Sequence, residues 1–126
     1  MGKVDNKNPK SNGRGITRLG RALRCSISGL WSACRYEPSF RLELLLCLLL
    51  VPLGFHFGQT GAEQALLLGS LLLVLIVELL NSALETIVDR IGTEQHPLSG
   101  RAKDLGSAAV FIALANLVVV WLCIIL

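Results

Sequence analysis

Three long apolar segments constrain this chain more than any other feature of its sequence. They run over about residues 40–57, 65–91 and 103–126, and short polar stretches separate them. The chain has 126 residues, of which 52% are hydrophobic and 17% are charged. A soluble domain of this length has too small an interior to bury so many apolar side chains. Segments of roughly 20 residues instead match a hydrocarbon core about 30 Å thick, so they are predicted to be transmembrane helices.

A further helix is predicted ahead of these spans, over about residues 16–36. Its apolar residues recur with a spacing of three and four, and arginines occupy the other positions. A basic amphipathic helix with Trp31 on its apolar side is expected to lie in the membrane interface. Residues 1–15 are polar and are predicted to be disordered. We therefore expect an all-α membrane protein with a single domain over residues 16–126.

The distribution of positive charge predicts how the chain is oriented. Nine of the twelve lysines and arginines precede Glu43, and the other three lie within residues 90–103. The loop over residues 58–63 contains none. By the positive-inside rule, the N-terminus and the 90–103 loop belong in the cytoplasm. The 58–63 loop and the C-terminus then lie on the far side of the membrane.

The second span carries a polar stripe on one face of its helix. Glu78 directly follows the apolar run 71–77, and at about 100° per residue four more polar side chains fall within roughly 100° of arc around it. These are Asn81, Ser82, Glu85 and Asp89. Ionisable groups inside a span are unfavourable and normally face protein or water. Hydrogen bonding between helices does not require three carboxylates, so the stripe predicts a functional site.

Depth in the membrane separates the roles of these carboxylates. Glu78 is the deepest and is the candidate general base. Glu85 is nearer the surface, where it can meet a hydrated Mg²⁺, an ion that usually takes one or two carboxylates together with substrate phosphates. Glu37, just before the first span, would join Glu85 as a ligand if the two helices pack together. For Asp89, beside Arg90 near the surface, a supporting role in the site and a purely structural role are equally consistent.

The loop between the second and third spans mixes acidic and basic residues. They include Glu94, His96, Arg101, Lys103 and Asp104. Lys and Arg bind phosphate oxygens, and carboxylates hold the metal that bridges them. The loop alone is also consistent with ordinary solvated charge, but next to an acidic stripe it favours phosphate–metal chemistry. The sequence contains no phosphate-binding glycine loop or soluble-kinase motif, so a nucleotide would bind without those folds.

The stretch VELLNSALETIVDRIG at residues 77–92, followed by SGRAKDLGSAAV at 99–110, resembles the signature of the bacterial diacylglycerol kinases. These are small integral membrane proteins, and the similarity extends from about Ile16 to Trp121. The resemblance implies a homotrimer in the bacterial inner membrane, with three spans and a surface helix in each chain and active sites shared between subunits. The reaction that it implies is transfer of the γ-phosphate of MgATP to the hydroxyl of diacylglycerol, which gives phosphatidic acid.

The same resemblance implies roles for individual residues. Glu78 would be the general base, Asn81 would support it, and Glu37 and Glu85 would bind Mg²⁺. The implied nucleotide-binding positions are Arg18, Cys25, Glu37, Glu85, Glu94, Gln95, His96, Lys103 and Asp104. The implied lipid-binding positions are Arg18, Trp31, Ser32, Ala33, Cys34, Glu78 and Ser107.

Three positions depart from the family pattern. Cys25 and Gln95 stand where many relatives have Tyr, and Pro97 follows His96 where relatives often have Glu. These changes affect the expected adenine contacts and leave the acidic stripe intact.

Two other functions stay open on the sequence. A related kinase acting on undecaprenol would use the same base and metal, whereas a small proton-coupled transporter would use Glu78 and leave Glu85 without a role.

Overall fold

The structure is a computed structural model and describes residues 15–126. Its four helices are α1 (Gly15–Tyr36), α2 (Pro38–Phe57), α3 (Gly61–Ile91) and α4 (Pro97–Ile125). Helices α2, α3 and α4 are each long and apolar enough to cross a membrane. For the described residues, the prediction of an all-helical fold with three helices long and apolar enough to span a membrane is therefore confirmed. The predicted disordered tail, residues 1–15, lies outside the described residues except for Gly15.

The described chain divides into two compact units, residues 15–32 and Ala33–Leu126. The first unit is most of α1, and its apolar side chains, including Ile16, Leu19 and Leu23, are exposed. That helix covers the segment where the surface helix is expected, and its position in a membrane interface stays a prediction. The second unit contains the last turn of α1 and all three spanning helices, and it carries the acidic stripe.

Each spanning helix begins before the apolar segment that predicted it. Helix α2 begins at Pro38, α3 at Gly61 and α4 at Pro97. Pro38 and Pro97 occupy first turns, where the missing N–H of proline leaves no hydrogen bond unmade. Hydropathy marks only the part of a helix that lies in hydrocarbon, so the predicted segments did not include the polar first turns.

Side-chain caps account for the early starts of α3 and α4. Thr60 Oγ1 accepts a hydrogen bond from the Glu63 N–H at 3.1 Å, and Glu63 Oε2 accepts one from the Gln59 N–H at 2.7 Å. This reciprocal arrangement resembles a capping box. At the start of α4, His96 Nδ1 accepts a hydrogen bond from the Leu98 N–H at 3.1 Å. The polar residues of both loops thus stabilise the helices that follow them.

Helix α3 lies between the other two spans and packs against both of them. Its buried side chains include Leu67 and Leu71, and Phe40 of α2 and Ala113 of α4 are buried as well. Two hydrogen bonds reinforce these contacts. Trp121 Nε1 donates to Ser70 Oγ at 3.2 Å, and Cys47 Sγ donates to the Leu71 carbonyl at 3.7 Å. The helix that carries the acidic stripe is therefore held from two sides.

Candidate active site

The polar stripe of α3 runs from an enclosed end to an exposed end. Glu78 and Ser82 are buried, with 6% and 8% of their surfaces exposed. Asn81 and Glu85 are half-buried, and Asp89 is exposed. Glu78 is thus the most enclosed of the three carboxylates, in keeping with the depth order expected from the sequence. Burial among helices explains how a carboxylate is accommodated in a spanning segment.

Two carboxylates of the α2 region lie close to this stripe. The negative charges of Glu85 and Glu37 both act on the Glu78 carboxylate, and Glu43 interacts electrostatically with Glu78 as well. Glu37 stands in extended conformation immediately before α2, and the packing of α2 against α3 brings it to the stripe. Periodicity could not show this contact, because it does not say which face of α2 meets α3.

Glu43 is also a member of this acidic cluster, and no role was predicted for it from the sequence. Its Oε2 atom is buried and has no hydrogen-bond partner among the described residues. A signal was present in the sequence, since Glu43 follows Phe40 by three residues and precedes Cys47 by four. Both of those side chains are buried, so the three share the α2 face that packs on α3.

Asn81 is positioned by two neighbours, one on its own helix and one on α4. Its Nδ2 atom donates a hydrogen bond to Glu85 Oε1 at 3.3 Å. Its Oδ1 atom is buried without a hydrogen-bond partner in the described part of the chain. That oxygen lies against Gly106 of α4, where a Cβ would collide with Oδ1 and come within 3.3 Å of the amide carbon. Only a glycine at position 106 lets the Asn81 amide lie against the α4 backbone.

A cavity of about 550 Å³ lies where α3 ends and α4 begins. Among its lining residues are Glu94, Gln95, His96 and Lys103, which are four of the positions expected to bind nucleotide. The volume lies within the range typical of small-molecule sites. Lys103 Nζ forms an ion pair with Asp89 Oδ1 at 2.9 Å, so Asp89 connects the end of the stripe to the cavity.

The other expected site residues lie on α1 and α4. Asp104 and Ser107 are exposed on α4. In the first compact unit, the exposed residues of α1 include Arg18, Cys25, Trp31 and Ser32. At the end of α1, Ala33 is buried and Cys34 is half-buried.

The last turn of α1 is connected to α2 by an arginine. Arg41 Nη1 donates hydrogen bonds to the main-chain carbonyls of Cys34 at 3.3 Å and Arg35 at 3.0 Å. No site role was predicted for Arg41 from the sequence. Its guanidinium satisfies carbonyl groups that the end of a helix leaves without partners. This contact stabilises the chain around Glu37, which lies between α1 and α2.

The carboxylates of this cluster suit a magnesium ion that arrives with a nucleotide. Within residues 15–126, no three His, Cys, Asp or Glu side chains are grouped so that they could hold a metal ion by themselves. Mg²⁺ in phosphoryl-transfer sites usually takes only one or two carboxylates and completes its shell with phosphates and water. Glu37 and Glu85 provide the required oxygen donors, so the residues present fit that kind of site.

Comparison with known proteins identifies the family to which the sequence belongs. The sequence model of the prokaryotic diacylglycerol kinase family matches residues 24–125. The chain belongs to this family. The diacylglycerol kinase of Haemophilus influenzae is 54% identical over 107 residues, which cover 85% of this chain and 91% of that protein. The resemblance inferred from the two sequence stretches is confirmed.

More distant diacylglycerol kinases match over a similar length. That of Pseudomonas aeruginosa is 46% identical over 112 residues, which are 89% of this chain and 91% of that protein. That of Helicobacter pylori is 39% identical over 108 residues, which are 86% of this chain and 84% of that protein. The region that matches the prokaryotic diacylglycerol kinase family includes α2, α3 and α4 completely. Arg18 precedes that region.

Proposed function

We propose that this chain is an ATP-dependent diacylglycerol kinase, which transfers the γ-phosphate of MgATP to the hydroxyl of diacylglycerol and gives phosphatidic acid. The observation that carries the proposal is a buried carboxylate, Glu78, on a spanning helix that continues to a cavity of nucleotide size. Membership of the family supports the same reaction. One kinase domain over residues 16–126 would perform it.

Glu78 is the general base of the proposed reaction. A lipid hydroxyl must lose its proton as it attacks the γ-phosphorus, and a carboxylate within hydrogen-bond reach can accept that proton. Glu78 is enclosed by α3 and its neighbours, so the proton passes to a fixed group rather than to bulk water. Asn81 supports the site because its amide is held between Glu85 and the α4 backbone.

Glu37 and Glu85 are the proposed ligands of Mg²⁺. When bound with ATP, the ion neutralises negative charge on the phosphate oxygens. Asn81 Nδ2 donates to Glu85 Oε1, which fixes the orientation of one of the two carboxylates. Asp89 supports the site through its ion pair with Lys103.

The nucleotide is proposed to occupy the cavity between α3 and α4. Lys103 offers an ammonium group for phosphate oxygens, and Gln95 lines the same space in the absence of a tyrosine. Beyond the cavity, the proposed nucleotide contacts extend to five further residues: Arg18, Cys25, Glu37, Glu85 and Asp104. Gln95 has no aromatic ring to stack on adenine, so its side chain would contact adenine by hydrogen bonding.

The lipid acceptor is proposed to reach Glu78 along the membrane interface. Ser107 and the segment from Trp31 to Cys34 would contact it, together with Arg18. We propose that α1 lies in the interface of a bacterial inner membrane and that three copies form a homotrimer with shared active sites. The N-terminus and the 90–103 loop would be cytoplasmic and the C-terminus would lie on the far side, as the positive charges predict.

A lipid-dependent phosphorylation assay tests this function. Purified protein in mixed micelles, supplied with MgATP, is expected to convert diacylglycerol to phosphatidic acid much faster than it phosphorylates undecaprenol. The controls omit either the lipid or Mg²⁺. Preferred phosphorylation of undecaprenol would reassign the acceptor, and ATP hydrolysis that does not respond to any lipid alcohol would contradict the kinase assignment.

Changing Gly106 to Ala is expected to lower turnover on the order of tenfold, because misplacing a catalytic group by about 1 Å can slow a reaction by more than that. The new Cβ would displace the Asn81 amide from Glu85. The measurement is the initial rate at saturating MgATP and diacylglycerol. Gly69→Ala on α3 is the matched control, since a Cβ there meets nothing within 4 Å.

A double substitution shows whether the effect passes through Asn81. Adding Asn81→Ala to Gly106→Ala is expected to cause little further loss, because residues that act through the same contact are not additive. Fully additive losses would contradict the proposed route from Gly106 through Asn81.

A further inference from the structure

Asn116 is a polar residue in the middle of the apolar part of α4. Between Leu105 and Leu126, the side chains that carry nitrogen or oxygen are Ser107, Asn116 and Trp121. Trp121 donates to Ser70, and Ser107 lies near the start of the apolar part. The Asn116 side chain is exposed on the chain, and no hydrogen bond joins its amide to another described residue.

In a bilayer, the amide of Asn116 would lie far from water on both sides. It lies about 14 Å along the helix axis from Ile125 and about 18 Å from Asp104, at 1.5 Å of rise per residue. Lys and Arg have long stems that carry a polar head to the membrane surface, but the side chain of Asn is too short for this. An amide without a partner in hydrocarbon is strongly unfavourable.

Neither of the other two spanning helices offers a partner at the same level. Contacts of Gly106 with Asn81 and of Trp121 with Ser70 show that α4 runs antiparallel to α3. The level of Asn116 therefore falls within the apolar run of α3 at residues 71–77. On α2 the nearest polar group at this level is the Cys47 thiol, which donates to the Leu71 carbonyl of α3.

We propose that the Asn116 amide forms a hydrogen bond with a second copy of this chain inside the membrane. Asn116 belongs to a seam of exposed residues with alternating spacings of four and three, which is typical of helix-to-helix contacts. The seam comprises Leu105, Ala109, Ile112, Asn116, Val119 and Cys123. It adjoins the α4 face that packs on α3, marked by Gly106 and Ala113.

A second copy fits this seam better than lipid does. An amide has both donors and an acceptor, so it can bond with the same amide of another copy or with a main-chain carbonyl of an apposed helix. Copies inserted with a common orientation bring such groups to the same depth, whereas acyl chains offer no polar group there. The inference rests on the proposed oligomer and adds to it the helix surface through which the copies meet.

Dissociation of the purified full chain tests the proposal. The oligomer is diluted into increasing amounts of detergent micelles, and its subunit number is followed by sedimentation or by native mass spectrometry. Asn116→Val is expected to weaken association roughly three- to fifteenfold for each amide hydrogen bond that the substitution removes. Asn116→Gln keeps the amide and is expected to associate nearly as the unaltered chain does.

A double variant separates the position of the amide from its mere presence. In Asn116→Val combined with Val118→Asn, the amide moves to a different exposed face of α4 while the composition stays the same. This variant is expected to dissociate as Asn116→Val does. Association equal to that of the unaltered chain, in either the single valine variant or the double variant, would overturn the proposal.

Measurements on the unaltered chain show whether the proposed Asn116 contact or the proposed function is wrong. If that chain is itself monomeric in micelles, both the seam and the proposed homotrimer are wrong. Its lipid kinase activity is measured on the same samples. If the chain is active and substitution of Asn116 does not change its association, the kinase assignment holds and only the proposed seam is wrong.

Discussion

Replacing Glu78 with Gln is expected to abolish measurable lipid phosphorylation while MgATP binding stays near that of the unaltered chain. Gln has nearly the same shape as Glu, so the packing around position 78 is retained, but its amide cannot accept the hydroxyl proton. Loss of general base catalysis typically slows a reaction by roughly 10²- to 10⁴-fold. The measurement is the initial rate in mixed micelles together with equilibrium binding of MgATP.

The matched control for this variant is Glu43→Gln. Glu43 is also a poorly hydrated carboxylate, and it lies close enough to Glu78 for their charges to interact. We expect a smaller loss from Glu43→Gln, because the loss of a neighbouring charge leaves the base in place. Near-normal turnover in Glu78→Gln would refute its role as the base, and a loss seen only in Glu43→Gln would move that role to α2.

Replacing Glu85 with Gln is expected to raise the Mg²⁺ concentration for half-maximal rate by about tenfold or more, since loss of even an outer-shell partner of a metal changes affinity by about 10- to 100-fold. A neutral amide oxygen is a weaker ligand than a carboxylate for this hard cation. The measurement is the rate as a function of free Mg²⁺ at a fixed concentration of ATP. Glu37→Gln is expected to change the Mg²⁺ dependence in the same direction.

Asp89→Asn is the matched control for the metal assignment. Asp89 lies on the same stripe as Glu85, but it is exposed and paired with Lys103. Its replacement is expected to weaken nucleotide binding with little change in the Mg²⁺ requirement. If Glu85→Gln showed the same Mg²⁺ dependence as the unaltered chain, Glu85 would not be a metal ligand.

Hydrophobicity and periodicity were sufficient to predict the spanning helices and to group the polar residues of α3 on one face. The three apolar segments predicted the spanning helices, because hydrophobicity over about 20 residues directly reflects the thickness of a bilayer. The angular spacing from Glu78 to Asp89 grouped the stripe, since residues on one helix have fixed relative directions. The helix starts were less accurate, because caps such as Thr60 and His96 act through hydrogen bonds that hydropathy does not measure.

Contacts between helices could not be predicted from the pattern of each helix alone. The approach of Glu43 to Glu78 depends on which face of α2 packs on α3, and one helix pattern does not determine the rotation of another. The contact of Gly106 with Asn81 depends on how closely α4 approaches α3. Family resemblance supplied Glu37 as a partner of Glu85, whereas the contacts of Glu43 with Glu78 and of Gly106 with Asn81 follow from the packing of the helices.

The length of α3 has a consequence for the distance between the two substrates. Its 31 residues extend over about 46 Å, whereas a hydrocarbon core is about 30 Å thick. Glu78 and Asp89 lie on this one uninterrupted helix, separated by about 16 Å along its axis. Because α3 is one continuous helix, its length sets the offset between the proposed base and the cavity. A nucleotide that binds in the cavity, as proposed, would have to extend its triphosphate along α3 towards the bilayer, and the lipid hydroxyl would have to meet it part of the way from Glu78.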